Sequence, residues 1–281
     1  MLKIAKTIPQ VKKLSGEFKG SVGFIPTMGY LHEGHLSLIR LSKTQNDFTI
    51  VSIFVNPTQF GSHEDLESYP RNTKRDLKLL KNAGVDFVLL PTAKELYPQN
   101  YKTYTEVTGL SNLLEGKSRP GHFRGVATIV LKLINITCPT RLYLGQKDAQ
   151  QVAVIKKMVQ DLNIPIQVVV GETIREKDGL AMSSRNVYLD KNQRKEATII
   201  YRSLKLAENL FQKGERDSKK IKKAIRELIQ TTKAEVDYIS AADKKTLKEK
   251  KTIDKNTLIT LAVKFGKTRL IDNIVLRSNS Q

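Results

Sequence analysis

Tryptophan is absent from this chain, cysteine occurs once and histidine four times in 281 residues. A lone cysteine, Cys138, forms no internal disulfide and has no Cys or His at zinc spacing, so before Pro139 it reads as a small buried residue. No apolar run approaches the roughly 18 residues that cross a bilayer. The opening Met1-Leu2-Lys3-Ile4-Ala5-Lys6 lacks the apolar stretch of a secretory signal. The expectation is a soluble, cytoplasmic chain with no membrane partner. Also missing are Gly-x-Ser-x-Gly, Gly-x-x-x-x-Gly-Lys-Ser/Thr and Gly-x-Gly-x-x-Gly, which argues against a nucleophile-elbow hydrolase, a P-loop enzyme and a dinucleotide binder. There is no internal repeat and no low-complexity tract, although Lys244 to Lys251 comes nearest.

Acids are scarce relative to bases: 28 Asp and Glu against 48 Lys and Arg give a net charge of +20. Such an excess brings nucleic acid, an anionic membrane or an anionic substrate into consideration. Between Lys191 and Asn256 stand nineteen Lys and Arg against ten acids, nearly half of the excess in under a quarter of the chain. These lysines alternate with acids on amphipathic patterns and have few aromatics among them to stack on bases. They read as a solvated face, and no nucleic acid is expected.

The length suggests about two domains. Val22 to Ile25 reads as a buried strand, Gly34 to Gln45 as a helix, Phe48 to Val55 as a strand too continuous to be half-exposed, Thr73 to Ala83 as a helix and Val85 to Leu90 as a strand. Tyr104 to Val107 suggests an extra strand and Ser111 to Gly121 a loop. A helix from His122, a strand at Leu142 to Gly145, a helix from Ala149 to Leu162 and a strand at Ile166 to Val170 complete an α/β pattern. Its alternation implies a Rossmann-like parallel sheet with right-handed crossovers. Two basic helices, Arg194 to Lys213 and Ser218 to Thr232, then precede strands at Val236 to Ser240, Leu258 to Lys264 and Arg269 to Leu276. This pattern reads as a smaller α+β C-terminal domain, with domains at 1–177 and 178–281.

In an open parallel sheet, ligands bind beyond the carboxyl ends of the strands. The residues there are Pro26 to His35, Asn56 and Gln59, Gly145 to Asp148, and Ser183-Ser184-Arg185. His32 and His35, three apart across Gly34, sit where a helix start would aim N–H groups at an anion. With Lys147 as a point charge and Arg185 as a fork, the set suits a triphosphate. No nucleophile stands out, so the chain would orient an external one onto the α-phosphate.

The His-x-Gly-His after the first strand, with Met182-Ser183-Ser184-Arg185-Asn186 near the domain junction, resembles the nucleotidylyltransferase superfamily. The fuller string resembles its pantoate–β-alanine ligase (pantothenate synthetase) family. It comprises Pro26-Thr27-Met28-Gly29, Phe54-Val55-Asn56-Pro57-Thr58-Gln59-Phe60, Tyr69-Pro70-Arg71, Gly121-His122-Phe123-Arg124-Gly125-Val126, Gly145-Gln146-Lys147-Asp148 with Gln150-Gln151, and Thr268-Arg269-Leu270-Ile271-Asp272. The resemblance implies ATP-dependent condensation of (R)-pantoate with β-alanine through a pantoyl adenylate, releasing pyrophosphate and AMP. It implies ATP contacts from Met28, Gly29, Tyr30, Leu31, His32, Glu33, Gly34 and His35, from Gly145, Gln146, Lys147 and Asp148, and from Ile174, Met182, Ser183, Ser184 and Arg185. Gln59 and Gln151 would hold pantoate, and Gln59 would also lie near β-alanine. His32, His35, Lys147 and Arg185 would carry the catalysis, with His35 the assigned proton donor, although electrostatic stabilisation fits a histidine equally well.

The resemblance further implies a C-terminal domain that covers the site and a homodimer through the first domain, to which Phe48 to Phe54 and the following loop would lend a shared face. Mg²⁺ would ride on the ATP phosphates, with no protein metal ligand named. Tyr30, Gln146 and Ala149 depart from the family's usual small residue, Glu and aromatic. Two other readings stay open: a nucleic-acid binder of synthetase-like ancestry, and a different small-molecule nucleotidylyltransferase. Of the remaining candidates, His63 reads as solvent-exposed and His122 as a cap or packing residue. Arg124 reads as a weak phosphate or packing candidate and Asp76 as ion-paired within a basic helix.

Overall fold

The structure is a computed structural model that describes residues 2–62 and 64–277, so His63 lies outside the described residues. The chain groups into two compact units. One runs to Gln146 and resumes over Val154–Glu172; the other comprises Lys147–Ala153 and the described chain from Thr173.

The first unit is a parallel sheet of six strands. In chain order its elements are β1 (Lys3–Ala5), α1 (Ile8–Ser15), β2 (Val22–Thr27), α2 (Glu33–Gln45), β3 (Phe48–Ile53), α3 (Thr73–Asn82), β4 (Phe87–Leu89), α4 (Ala93–Leu96), α5 (Leu114–Ser118), α6 (His122–Thr137), β5 (Arg141–Gly145), α7 (Ala149–Asp161) and β6 (Gln167–Gly171). The start of α7, through Ala153, groups with the second unit. The strand order is β1-β4-β3-β2-β5-β6. Phe24, Ile25, Ile50 and Val51 are fully buried, as strands covered on both faces require. On α6, Phe123, Val126, Ile129, Val130, Leu133 and Ile134 are buried at the helical spacing expected from the sequence.

The second unit carries α8 (Lys191–Glu196), α9 (Ile199–Gln212) and α10 (Ser218–Ile229), then β7 (Glu235–Asp243), β8 (Thr257–Phe265) and β9 (Thr268–Val275) in one antiparallel sheet. Ile221, Ile225 and Ile229 of α10 are spaced by four and fully buried, while Lys219, Lys220 and Lys223 of the same helix are exposed. The basic face expected for this helix is therefore the solvent-facing side of an amphipathic element. Among the described residues, no helix is long and apolar enough to cross a membrane.

Several local expectations differ from the structure. β1 escapes the periodicity because it is three residues long and two of them are exposed; it pairs with β4, Ile4 opposite Val88. Tyr104 to Val107 is not a strand. The Thr105 N–H donates to Thr128 Oγ1 of α6 at 2.9 Å instead of to a ladder, and the Tyr104 ring lies under the Arg124 guanidinium at 4.1 Å. The stretch read as a loop contains α5, whose Gly116 passes against the Ser111 carbonyl. The long helix expected from Arg194 breaks at Ala197–Thr198 into α8 and α9. Cys138 is exposed, since it ends α6 in a left-handed conformation with φ 44°. β3 is paired on both edges, and Thr49 to Phe54 are buried.

Candidate active site

Strand order reverses at β2, with β3 and β4 on one side and β5 and β6 on the other, so the first unit has its topological switch point where the chain leaves β2. At the end of β2, Thr27 Oγ1 donates to the Ser52 carbonyl at 2.7 Å and accepts the Gly29 N–H at 3.2 Å. Gly29 and Tyr30 then both take positive φ, 83° and 49°, which turns the chain toward α2. The anchor of this turn is Asp76 in the first turn of α3. Its carboxylate is 1% exposed and accepts the Tyr30 N–H at 2.8 Å and the Leu31 N–H at 2.9 Å. Arg75 stands 3.6 Å from the same carboxylate and places its guanidinium over the Tyr30 ring at 5.2 Å. Asp76 is thus more than the ion-paired residue of a basic helix: it fixes the turn between β2 and α2.

His32 is the N-cap of α2. Its Nδ1 accepts the Gly34 N–H at 3.2 Å, and its own N–H donates to Nδ1 of His35 at 3.3 Å. This is a capping box in which two imidazoles replace the usual hydroxyl and carboxylate. A Cβ on residue 34 would stand 2.9 Å from His32 Cε1, so glycine is required for the ring to fold back. With both Nδ1 atoms accepting, each neutral ring carries its proton on Nε2. The ring centroids are 4.1 Å apart. The main-chain N–H groups of Tyr30, Leu31, His32 and Gly34 are therefore committed inside the chain.

Gln59 closes a short 3₁₀ turn capped by Asn56. Its Oε1 accepts from Asn56 Nδ2 at 3.1 Å, and its Nε2 reaches Met28 Sδ at 3.2 Å, a weak acceptor that a carboxylate or hydroxyl can displace. Asn56 is in turn held by the Gly125 carbonyl and the Tyr97 hydroxyl. Gly125 permits this approach, because a Cβ there would lie 2.3 Å from the Thr58 carbonyl oxygen. His122 Nδ1 lies 2.8 Å from the Gln59 carbonyl, an acceptor, and its Nε2 lies 3.2 Å from Arg119 Nη1, a donor. The ring is therefore neutral with its proton on Nδ1. Burial and the neighbouring Arg119 push its pKa down to about 4, which removes it as a proton shuttle near neutrality. His122 packs, as expected, and it holds the main chain of Gln59.

Gly145 and Gln146 belong to the first unit, at the point where the chain passes out of it. In the second unit, Lys147 Nζ lies 3.3 Å from Asp148 Oδ1, and Gln151, half-buried, follows on α7 beside the buried Gln150. The Ile174 carbonyl accepts the Met182 N–H at 3.0 Å, and Arg175 bridges Ala181, which folds the chain into a narrow hairpin. Ser183 caps the 3₁₀ turn Ser184–Tyr188 by accepting the Arg185 N–H at 3.3 Å, and Ser184 is buried. Lys147 and Ser183 line one small cavity together with Asn186 and Asp272. Each unit thus gathers its own share of the expected residues: Met28 to His35 with Gln59 in the first, and Lys147 with Ser183 in the second.

The family model of the pantoate-β-alanine ligases matches residues 3–275. The chain belongs to this family. It is 55% identical over 279 residues to the pantothenate synthetase of Acetivibrio thermocellus, covering 98% of this chain and 99% of that one. To the pantothenate synthetase of Thermotoga neapolitana it is 52% identical, covering 98% and 100%. Among solved structures, the pantothenate synthetase of Thermus thermophilus superposes with a TM-score of 0.93 at 40% identity, covering 97% and 99% of the two chains. The pantoate-β-alanine ligase of Francisella tularensis, complexed with β-γ ATP and β-alanine, gives 0.82 at 38% identity over 98% of each.

Asp76 and His122, which sequence reasoning assigned to ion pairing and packing, and Asn273, which it did not single out, are added as functional candidates. For Asp76 a signal was available: it lies four residues before Leu80, on the buried face of α3, where an acid needs a partner.

Proposed function

We propose that this chain joins pantoate to β-alanine at the expense of ATP. In the first step a pantoate carboxylate oxygen attacks the α-phosphorus, the bond to the β-phosphate oxygen breaks, and pyrophosphate leaves. In the second, the amine of β-alanine attacks the acyl carbon of pantoyl adenylate, AMP leaves, and the amine loses a proton. The observation that carries the reading is the pair of imidazoles at the start of α2, each with Nδ1 accepting from the backbone and its proton therefore on Nε2. Such preorganised donors oppose the charge that builds on phosphate oxygens in the transition state.

In this proposal His32, His35, Lys147 and Arg185 neutralise the triphosphate, and Met28 to His35, Gly145 to Asp148, Ile174 and Met182 to Arg185 face ATP. Gln59 and Gln151 hold pantoate, and Gln59 also serves β-alanine. His35 is the proton donor. Among the described residues, no cluster of three or more His, Cys, Asp or Glu could hold a metal, so the proposal has Mg²⁺ arrive on the ATP phosphates. A cytoplasmic homodimer belongs to the same reading and is supported by the resemblance; light scattering that finds a monomer at micromolar concentration removes that part. The deciding assay measures pyrophosphate and AMP from ATP and pantoate, with and without β-alanine. Pyrophosphate should appear with pantoate alone, and multiple-turnover AMP only once β-alanine is added. AMP release indifferent to pantoate overturns the reading.

A further inference from the structure

Two consecutive residues of β9, Asp272 and Asn273, are polar and buried, at 1% and 4% exposure. Successive strand residues point to opposite faces, so each must find its partners separately or destabilise the sheet. Asp272 accepts a fork from Arg175, 2.5 Å and 3.1 Å, and the Asn273 N–H at 2.8 Å. Arg175 also donates to the Gly179 carbonyl at 3.1 Å and bridges Ala181, so Asp272 fixes the hairpin that leads into Ser183, Ser184 and Arg185. Asn273 does something different. Its Nδ2 donates to the main-chain carbonyl of Lys147 at 2.8 Å.

We propose that Asn273 is a positioning residue for the adenylation step: by pinning the main chain of Lys147 to the strand whose Asp272 pins the serine-arginine hairpin, it sets the root from which the lysine ammonium is aimed. A lysine has four rotatable carbons and no planar fork, so its aim depends on where its backbone is held. The inference rests on the reading of Lys147 as a phosphate-neutralising group.

The test compares full-length Asn273→Ala, Lys147→Ala and the double variant. Single-turnover pyrophosphate release from ATP and pantoate reports the first step, β-alanine addition to preformed pantoyl adenylate reports the second, and thermal unfolding reports the fold. Asn273→Ala should slow pyrophosphate release roughly 10- to 100-fold, the scale of a misplaced reacting group, and leave the second step at the parent rate. The double variant should be no slower than Lys147→Ala, because Asn273 acts through the lysine. Parent-like pyrophosphate release, equal slowing of both steps, or additive losses in the double variant overturn the inference. If Lys147→Ala slows the first step and Asn273→Ala does not, only the positioning role fails; if Lys147→Ala is itself unaffected, the underlying reading of the lysine fails. Should Asn273→Ala not fold, Asn273→Thr, similar in volume but too short to reach the Lys147 carbonyl, takes its place under the same criteria.

Discussion

Replacing Asp76 with asparagine tests whether a buried carboxylate holds the turn between β2 and α2. The two oxygens each accept one main-chain N–H, from Tyr30 at 2.8 Å and Leu31 at 2.9 Å. Asparagine keeps one acceptor and sets an NH₂ against the other N–H, so one charge-assisted hydrogen bond is lost and a buried donor is stranded. Together these cost about 2–4 kcal/mol. The turn has little reserve to absorb the loss, since Tyr30 at φ 49° already sits in a left-handed conformation unfavourable for a side chain with a Cβ. For a unit of this size the cost corresponds to a Tm lower by roughly 4–15 °C. Because Leu31 leads directly into the His32 cap, the apparent KM for ATP should rise as well. Thermal unfolding and initial rates at varied ATP, on Asp76→Asn and the parent side by side, give both numbers. A parent-like Tm with a parent-like KM would refute the claim that this carboxylate holds the turn.

Lys147→Ala should slow adenylate formation by orders of magnitude, about 3–4 kcal/mol for one preorganised electrostatic contact; pyrophosphate release at the parent rate would exclude the lysine from the phosphates. Gln59→Ala should raise the apparent KM for pantoate and β-alanine with ATP little affected, as steady-state kinetics on each substrate would show. His122 has a pKa near 4 in the folded chain against an ordinary 6.5, so between these values the unfolded state binds more protons and stability falls as pH drops. Above pH 6.5 that contribution is fully present, and His122→Gln should flatten the dependence of Tm on pH between about 4 and 6.5. An unchanged slope would mean that other groups carry it.

Most of the fold could be read from residue order because its main elements have unambiguous periods. Ile221, Ile225 and Ile229 leave α10 no alternative to a one-faced helix, and the unbroken run from Phe48 to Val55 fits a strand covered on both sides. What stayed hidden is what depends on distant partners. Asp76 shares the buried face of α3 with Leu80, but which groups its carboxylate holds stays hidden until Tyr30 and Leu31, about 45 positions away, are brought to it. Tyr104 to Val107 has the composition of a strand, but the Thr105 backbone pairs with the Thr128 hydroxyl instead of a neighbouring strand, so composition misled. Cys138 is small and apolar enough for a core, yet its place at the left-handed end of α6 exposes it. Within the candidate site, the residue types at 32 and 35 were legible, whereas the tautomers were not, because they follow from which backbone N–H each ring accepts.

The double engagement of those imidazoles bears on how the site can be dissected by substitution. Each ring joins a cap of the helix start at Nδ1 to an Nε2–H that the proposed function sets against phosphate, so alanine at either position deletes both and cannot say which mattered. Asparagine places its amide near the inner nitrogen and glutamine reaches toward the outer one. A pair of variants at His35 therefore separates loss of the helix start from loss of the outward donor. The same logic warns that sluggish alanine variants here report a loosened α2 as much as missing chemistry.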